Sequence, residues 1–264
     1  MKCFLMCEPD FFDVCYVINP WMEGNQGKVD KPLARRQWQK LHDLIAQRAS
    51  VSLITPVEGL PDMVFTANAG LVHHQEVIVA SFLHAERQPE AKYFERYFSS
   101  HGYHVKHLVE KTIFEGAGDA LFDSRGRLWV GSGIRSDAHA LDEIRAVFDV
   151  QVHGLELVNP HWYHLDTCFC PLPQNQALAY EKAFSEKSVA VLNATFGADI
   201  TWVSEEDANN FACNAVVIDQ VVILHKASAR LKAMLTKRSL EVIESDVSEF
   251  LKAGGACKCM TLGI

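Results

Sequence analysis

With 264 residues, 48% of them hydrophobic and 22% charged, the chain is long enough to bury a substantial core and has ordinary globular composition. Its formal net charge of −8 speaks against the basic face that a nucleic-acid-binding protein needs, and no run of Lys and Arg supplies one. The opening Met1-Lys2-Cys3-Phe4-Leu5-Met6-Cys7-Glu8 has too short an apolar stretch for a signal peptide, and nothing approaches a membrane span, so a cytosolic protein is expected.

The first helical pattern covers Leu33–Gln47, and a short strand, Val51–Thr55, follows it. Four hairpin-like stretches come next: Met63–Phe82, Ala120–Gly131, Thr167–Tyr180 and Asn214–His225. Each sets two apolar runs around a polar turn: His73-His74-Gln75-Glu76, Asp123-Ser124-Arg125-Gly126, Pro173-Gln174-Asn175-Gln176 and Asp219-Gln220. Helical patterns follow at Pro89–Ser100, Asp137–Val147, Ser185–Phe196 and Ala229–Thr236. Closing strands are expected at His104–Leu108, Val152–Leu157, Asp199–Val203 and Leu240–Ser245. The unit is strand–strand–helix–strand, repeated about five times with a period of roughly 45–50 residues. No linker or composition break divides the chain, which reads as one domain over residues 1–264.

Polar residues keep the same beat. Asn19, Asn68, Glu115, His164, Asn214 and Cys259 are separated by 49, 47, 49, 50 and 45 positions. Equivalent positions of a circular repeat converge on its axis, so this set is expected to share one central site. Any one of them alone would read as strand-end punctuation.

Eight cysteines, Cys3, Cys7, Cys15, Cys168, Cys170, Cys213, Cys257 and Cys259, fit a reducing compartment as free thiols. The two C-x-C pairs lie in strand-like sequence and lack the usual zinc spacing, so most of these thiols read as small core residues and no metal is expected. Cys259 is the exception, following Gly254-Gly255, where the backbone can take unusual angles, and preceding an apolar strand. A nucleophilic thiolate needs a cationic or hydrogen-bonding neighbour, and His164 is the partner on the beat. Glu115, among small residues, can fix the tautomer of that imidazole and leave its other nitrogen for proton transfer. Cys257 is a nearby alternative nucleophile; two residues away on a strand, it should face the same side as Cys259.

These segments resemble the guanidine-modifying (amidinotransferase) superfamily along the whole chain. The resemblance rests on Phe4-Leu5-Met6-Cys7, Ile18-Asn19-Pro20-Trp21-Met22, Asp62-Met63-Val64-Phe65-Thr66-Ala67-Asn68, Arg87, Phe114-Glu115-Gly116, Gly131-Ser132-Gly133-Ile134-Arg135-Ser136, His164-Leu165-Asp166 and Cys259-Met260-Thr261-Leu262. It implies an α/β fold, a five-bladed α/β propeller (pentein) of ββαβ repeats with pseudo-five-fold symmetry. It implies that Cys259 is the nucleophile, a choice favoured by Met260-Thr261, that His164 is the general acid/base and that Glu115 orients it. Asp166 matches a carboxylate that grips the guanidinium. Arg87 and Arg135 match arginines that read an α-carboxylate through paired N–H donors. Asp62 and Phe65 fall in a substrate-facing loop, and Asn19 and Asn214 are site-lining candidates.

One position departs from the commonest pattern. Deiminases and methylarginine hydrolases place an acid where this chain has Asn68, and asparagine both accepts and donates hydrogen bonds. Thr66-Ala67-Asn68-Ala69-Gly70 is most similar to the catalytic domain of cyanobacterial-type arginine dihydrolases, which convert arginine to ornithine. The further C-terminal domain of those longer proteins is expected to be absent. The resemblance implies no cofactor, a small arginine-like substrate, no nucleic-acid or membrane partner, and leaves a homo-oligomer open. Single-round deimination to citrulline, dimethylarginine hydrolysis and amidino transfer remain as alternatives of the same chemistry. A non-catalytic binding module on the same fold is the alternative of another class.

Overall fold

Side-chain caps start several of the helices and short turns join the hairpin strands in the computed structural model, which describes residues 2–109 and 111–264. Met1 of the opening stretch lies outside the described residues. Strand β1 (Cys3–Cys7) leads to helix α1 (Lys31–Ala46). The Asp30 side chain accepts the Leu33 N–H, and Pro32 stands in the first turn of α1. Such a cap contributes about 1 kcal/mol. Ala34, Trp38, Leu41 and Ile45, three or four residues apart, bury one face of the helix. Strand β2 (Ser50–Ile54) follows.

Three complete repeats come next: β3 (Gly70–His73), β4 (Glu76–Val79), α2 (Ala91–Ser100) and β5 (His104–Lys106); β6 (Ala120–Phe122), β7 (Leu128–Ser132), α3 (Ala140–Val147) and β8 (Val152–Glu156); then a one-turn helix α4 (Leu165–Cys168), β9 (Phe169–Leu172), β10 (Gln176–Ala179), α5 (Glu186–Phe196) and β11 (Ile200–Trp202). The fourth adds a short helix α6 (Glu205–Asn209) before β12 (Val216–Ile218), β13 (Val221–Leu224), α7 (Ala229–Lys237) and β14 (Glu241–Glu244). The chain ends with α8 (Ser248–Leu251) and β15 (Leu262–Gly263).

Within each repeat the first two strands pair antiparallel and the third lies parallel to the second. The turns occupy the positive-φ positions that tight hairpins need, at His74, Gly126, Gln174, Asn175 and Asp219. The fifth sheet is made from both ends of the chain: β1 pairs antiparallel with β15, Leu5 opposite Leu262, and parallel with β2. Among the described residues the mixed α/β chain thus forms five three-stranded sheets. Its apolar interior is divided among them, one part around Trp129, Phe169, Leu178 and Leu192, another around Phe4, Trp38, Phe65 and Phe250.

Several expectations shift locally. α2 starts at Ala91 after a 3-10 turn over Gln88–Glu90, and α3 starts at Ala140 rather than Asp137. The short helices α6 and α8 have no counterpart in the expected pattern. The beat residues do not open strands; they lie in or beside helical turns before the inner strands, Thr66–Ala69 before β3, Gly116–Gly118 before β6 and α4 before β9. Cys168 ends α4 while Cys170 lies in β9, and Cys257 and Cys259 lie in a turn before β15, so neither C-x-C pair lies wholly in a strand. Among the described residues, no helix is long and apolar enough to cross a membrane.

Candidate active site

Those helical turns bring the polar beat together. Asn68 Nδ2 donates to the Glu115 carbonyl at 3.0 Å, and His164 Nε2 lies 2.7 Å from Glu115 Oε2. Asn214 Nδ2 donates to the Asp166 carbonyl and to Cys259 Sγ, both at 3.0 Å, and Asn214 Oδ1 accepts the Cys259 N–H at 3.1 Å. Successive repeats therefore touch through residues 45 to 49 positions apart. Each contact satisfies a polar group that burial would otherwise leave unpaired.

Asn19, Asp62, Phe65, Asn68, Arg87, Arg135 and Cys259 line one tight cavity of about 10 Å³, together with Ile18, Met22, Tyr163 and Ala253. Glu115, Asp166 and Asn214 do not line it but are bonded to its lining, Glu115 to Arg135 and the other two to Cys259, and His164 is bonded in turn to Glu115. A second cavity, about 210 Å³, lies among the inner strands with walls such as Leu71, Phe169, Val216 and Leu262, and Lys258 at its edge. It is larger but apolar, and Cys259, His164 and Glu115 do not line it. The chemistry-bearing groups belong to the small one.

Around Cys259 the partners are Asn214 and the Asp166 carboxylate, whose oxygens lie 3.5 and 3.6 Å from Sγ. Burial, then the Asp166 charge, pushes the Cys259 thiol well above its ordinary value, so it rests protonated. Burial pushes the Asp166 carboxyl up to about 6, against the pull of Lys258. His164 bonds to Glu115, not to Cys259, which differs from the direct thiol–imidazole pair expected from sequence.

Glu115 is fully enclosed. Its Oε2 accepts from Arg135 Nη1 at 2.9 Å as well as facing His164, and its Oε1 accepts the Leu83 N–H at 3.1 Å. Burial pushes this carboxyl up, but Arg135 and His164 prevail and hold it well below the usual carboxylate range. Gly118 makes room here: a Cβ would overlap Asn68 Nδ2 and come within 3.4 Å of the His164 ring. Gly254, at φ 82°, does the same beside Asn19 and Tyr163, as the sequence reading of the paired glycines anticipated.

The arginines are already engaged. Arg135 also donates to the Ile18 carbonyl at 2.9 Å and lies 4.6 Å from the Tyr163 ring centre. Arg87 presents its paired face to Glu90, at 3.0 and 2.8 Å, and donates Nη1–H to Asn68 Oδ1 at 2.8 Å. Asp62 Oδ2 accepts from Tyr16 at 2.9 Å; its Oδ1 has no hydrogen-bond partner among the described residues. Asn19 caps the 3-10 turn at Pro20 and donates to the Ala253 carbonyl, and Phe65 meets Phe12 and Phe250 edge-on.

Sequence reasoning missed Glu90, Asp119, Ser136 and Lys258. Ser136 donates to Asp119 and accepts the Glu115 N–H, and Asp119 accepts the Leu165 N–H beside His164. Asp119 lies in the strand-start segment and Ser136 in the quoted motif, which was the available signal. Glu90 had a weaker one, a three-residue spacing from Arg87.

With this geometry in view, three comparisons bear on the chain. The family described as N,N dimethylarginine dimethylhydrolase, eukaryotic, matches residues 19–264. The chain is 47% identical to the bifunctional arginine dihydrolase/ornithine cyclodeaminase AgrE of Nostoc sp., over 99% of this chain and 37% of that protein. It is 40% identical to the N(G),N(G)-dimethylarginine dimethylaminohydrolase of Mycobacterium tuberculosis, over 99% and 85%. Among solved structures, the substrate-bound N-terminal domain of ArgZ, an arginine dihydrolase of the ornithine–ammonia cycle in cyanobacteria, superimposes with a TM-score of 0.98 at 46% identity, covering 100% of this chain and 98% of that one. The chain spans little more than a third of the length of the bifunctional relative.

Proposed function

This chain belongs to the N,N-dimethylarginine dimethylhydrolase family, and from that premise we propose that it is an arginine dihydrolase, converting arginine to ornithine, two ammonia and carbon dioxide through covalent adducts on Cys259. In this reading residues 1–264 act as one catalytic domain in the cytosol, and the five sheets are the blades of a five-bladed α/β propeller. The unpaired state of all eight cysteines suits that compartment.

The observation that carries the reading is the amide of Asn68. Its oxygen spends one lone pair on Arg87 and its nitrogen one hydrogen on the Glu115 carbonyl, so one acceptor and one donor remain. The acceptor suits a guanidinium N–H; the donor suits the carbonyl of the ureido product. An aspartate there would set a carboxylate oxygen against the Glu115 carbonyl, acceptor facing acceptor.

In the first round the guanidinium settles against Asp166 and Asn68, and its charge favours the Cys259 thiolate. The sulfur attacks the guanidinium carbon, and His164 gives a proton to the departing ammonia. Since Nε2 of His164 is committed to Glu115, Nδ1 is the nitrogen that moves the proton. Water, deprotonated by His164, hydrolyses the thiouronium and leaves citrulline. In the second round sulfur attacks the ureido carbon and expels a second ammonia. Hydrolysis of the thiocarbamate gives a carbamate, which loses carbon dioxide to yield ornithine. The N–H groups that Arg135 does not give to Glu115 and the Ile18 carbonyl, with the one that Arg87 has left, would meet the substrate carboxylate at this cavity, and the unpartnered Asp62 Oδ1 would accept from its ammonium. Thiol, imidazole and carboxylates supply every proton and bond, so neither metal nor organic cofactor enters the scheme.

The test is to incubate the protein with arginine and separately with dimethylarginine, and to follow ornithine, citrulline, dimethylamine and ammonia. Ornithine with about two ammonia per arginine, one from each round of covalent catalysis, is expected. Citrulline alone, or dimethylamine as the faster product, would replace this reading with a single-round deiminase or a dimethylarginine hydrolase.

A further inference from the structure

Glu90 is a fully buried acid that the proposed reaction does not use. It ends the 3-10 turn Gln88–Glu90, and its two oxygens accept from Arg87 Nε at 3.0 Å and Nη2 at 2.8 Å. Arg87 also donates Nη2–H to the Asp62 carbonyl at 3.2 Å and Nη1–H to Asn68 Oδ1, and its guanidinium lies 4.8 Å from the Phe82 ring centre. Four of the five N–H donors of this guanidinium are thus committed. A continuous line runs from carboxylate to guanidinium to amide to the Glu115 carbonyl, and it determines which way round the Asn68 amide faces.

The two rounds depend on that orientation unequally. A guanidinium is a cation and is drawn to Asp166 whatever Asn68 presents. The ureido group is neutral and is retained only by directed hydrogen bonds. We propose that Glu90 is a positioning residue for the second round: by clamping Arg87 it fixes the Asn68 amide with an N–H toward the ureido carbonyl, and so sets the fraction of citrulline carried on to ornithine. This rests on the dihydrolase reading. A turned or mobile amide would let citrulline leave before the second attack.

The experiment measures the citrulline-to-ornithine ratio formed from arginine by the parent, Glu90→Gln and Glu90→Asp. A general loss of folded protein lowers both products together and leaves the ratio alone, so the ratio separates positioning from mere stability. Glu90→Gln is expected to raise it about tenfold, the effect of losing one hydrogen bond to a charged group. Glu90→Asp keeps the charge with a shorter reach and is expected to fall between parent and Glu90→Gln; it is read alone if Glu90→Gln does not fold. Folded variants with the parent's ratio overturn the proposal and leave the dihydrolase reading intact. A parent that makes citrulline and no ornithine overturns that reading, and the role of Glu90 falls with it.

Discussion

The two cavities are built partly from the same segments, yet they could hardly be less alike. Ala117, Cys213, Ala215 and Lys258 border the large apolar one. Their chain neighbour Cys259 lines the small polar one, and Asn214 and Glu115, the latter at the head of the Ala117 turn, are bonded to its lining. Burial raises thiols in both places, Cys170 up to about 12 in the first and Cys259 well above its ordinary value in the second. What distinguishes Cys259 is therefore not a low resting pKa. It is the company of Asp166 and Asn214, which a cationic substrate can turn to advantage.

The largest effect should come from breaking that distinction directly. Cys259→Ala is expected to lower ammonia release from arginine by at least about 10³-fold, because the proposed scheme forms its covalent adducts on Cys259. Cys213→Ala, on the apolar side one residue from Asn214, should stay within a few-fold of the parent. Intact-protein mass after quenching provides the second readout: an arginine-derived adduct on the parent and on Cys213→Ala, and none on Cys259→Ala. Equal losses in the two variants would mean that the two sides are not chemically distinct.

Much of this contrast is legible in the sequence because the repeat makes distance along the chain a guide to distance in space. The hairpin turns, the helical patterns and the 45-to-50-residue beat can be read along the chain, and the contacts from Asn68 to Glu115 and from Asn214 to Cys259 follow them. Other features depend on partners that no local signal names. Glu90 reads as an ordinary acid at a helix start, where it would face water and complement the dipole; only the fold reveals that it is buried against Arg87. The arginines read as free carboxylate clamps, but burial requires their donors to be used, and Glu115, Asn68 and the Ile18 carbonyl use them. The closure of β1 onto β15 pairs residues from opposite ends of the chain, in two quoted segments of which neither names the other as its partner.

A smaller effect is expected from Glu115→Gln, which keeps the size of the side chain but removes the charge shared by His164 and Arg135. Activity should fall about 10²-fold, the range of general acid–base catalysis. Stability gives an independent sign. The Glu115 carboxyl is held below its ordinary value, so its contribution is fully present above the unfolded value of about 4.3 and is lost as pH falls below it. Urea unfolding across acid pH should be steeper with pH for the parent than for Glu115→Gln. The same slope in both would mean that the Arg135 and His164 partnership does not stabilise the fold.

The finest test crosses the wall between the cavities. Lys258 reaches the apolar side, donating to the Thr261 carbonyl at 3.2 Å, while its charge acts on Asp166 in the polar one. In the proposed mechanism Asp166 receives the guanidinium as a carboxylate, so with burial raising its carboxyl to about 6, kcat/KM should fall on acidification with a limb near pH 6. The stability term from this group runs the other way. Its folded value lies above the unfolded value of about 3.9, so the folded chain binds the proton more tightly and gains stability as pH falls from about 6 to about 4. Lys258→Met removes the opposing charge without touching the substrate. It should move the acidic limb upward by less than about one pH unit and leave the plateau rate within a few-fold. An unmoved limb would separate the two cavities electrostatically; an upward shift would mean that the apolar cavity helps tune the polar one through a single lysine placed one residue before Cys259.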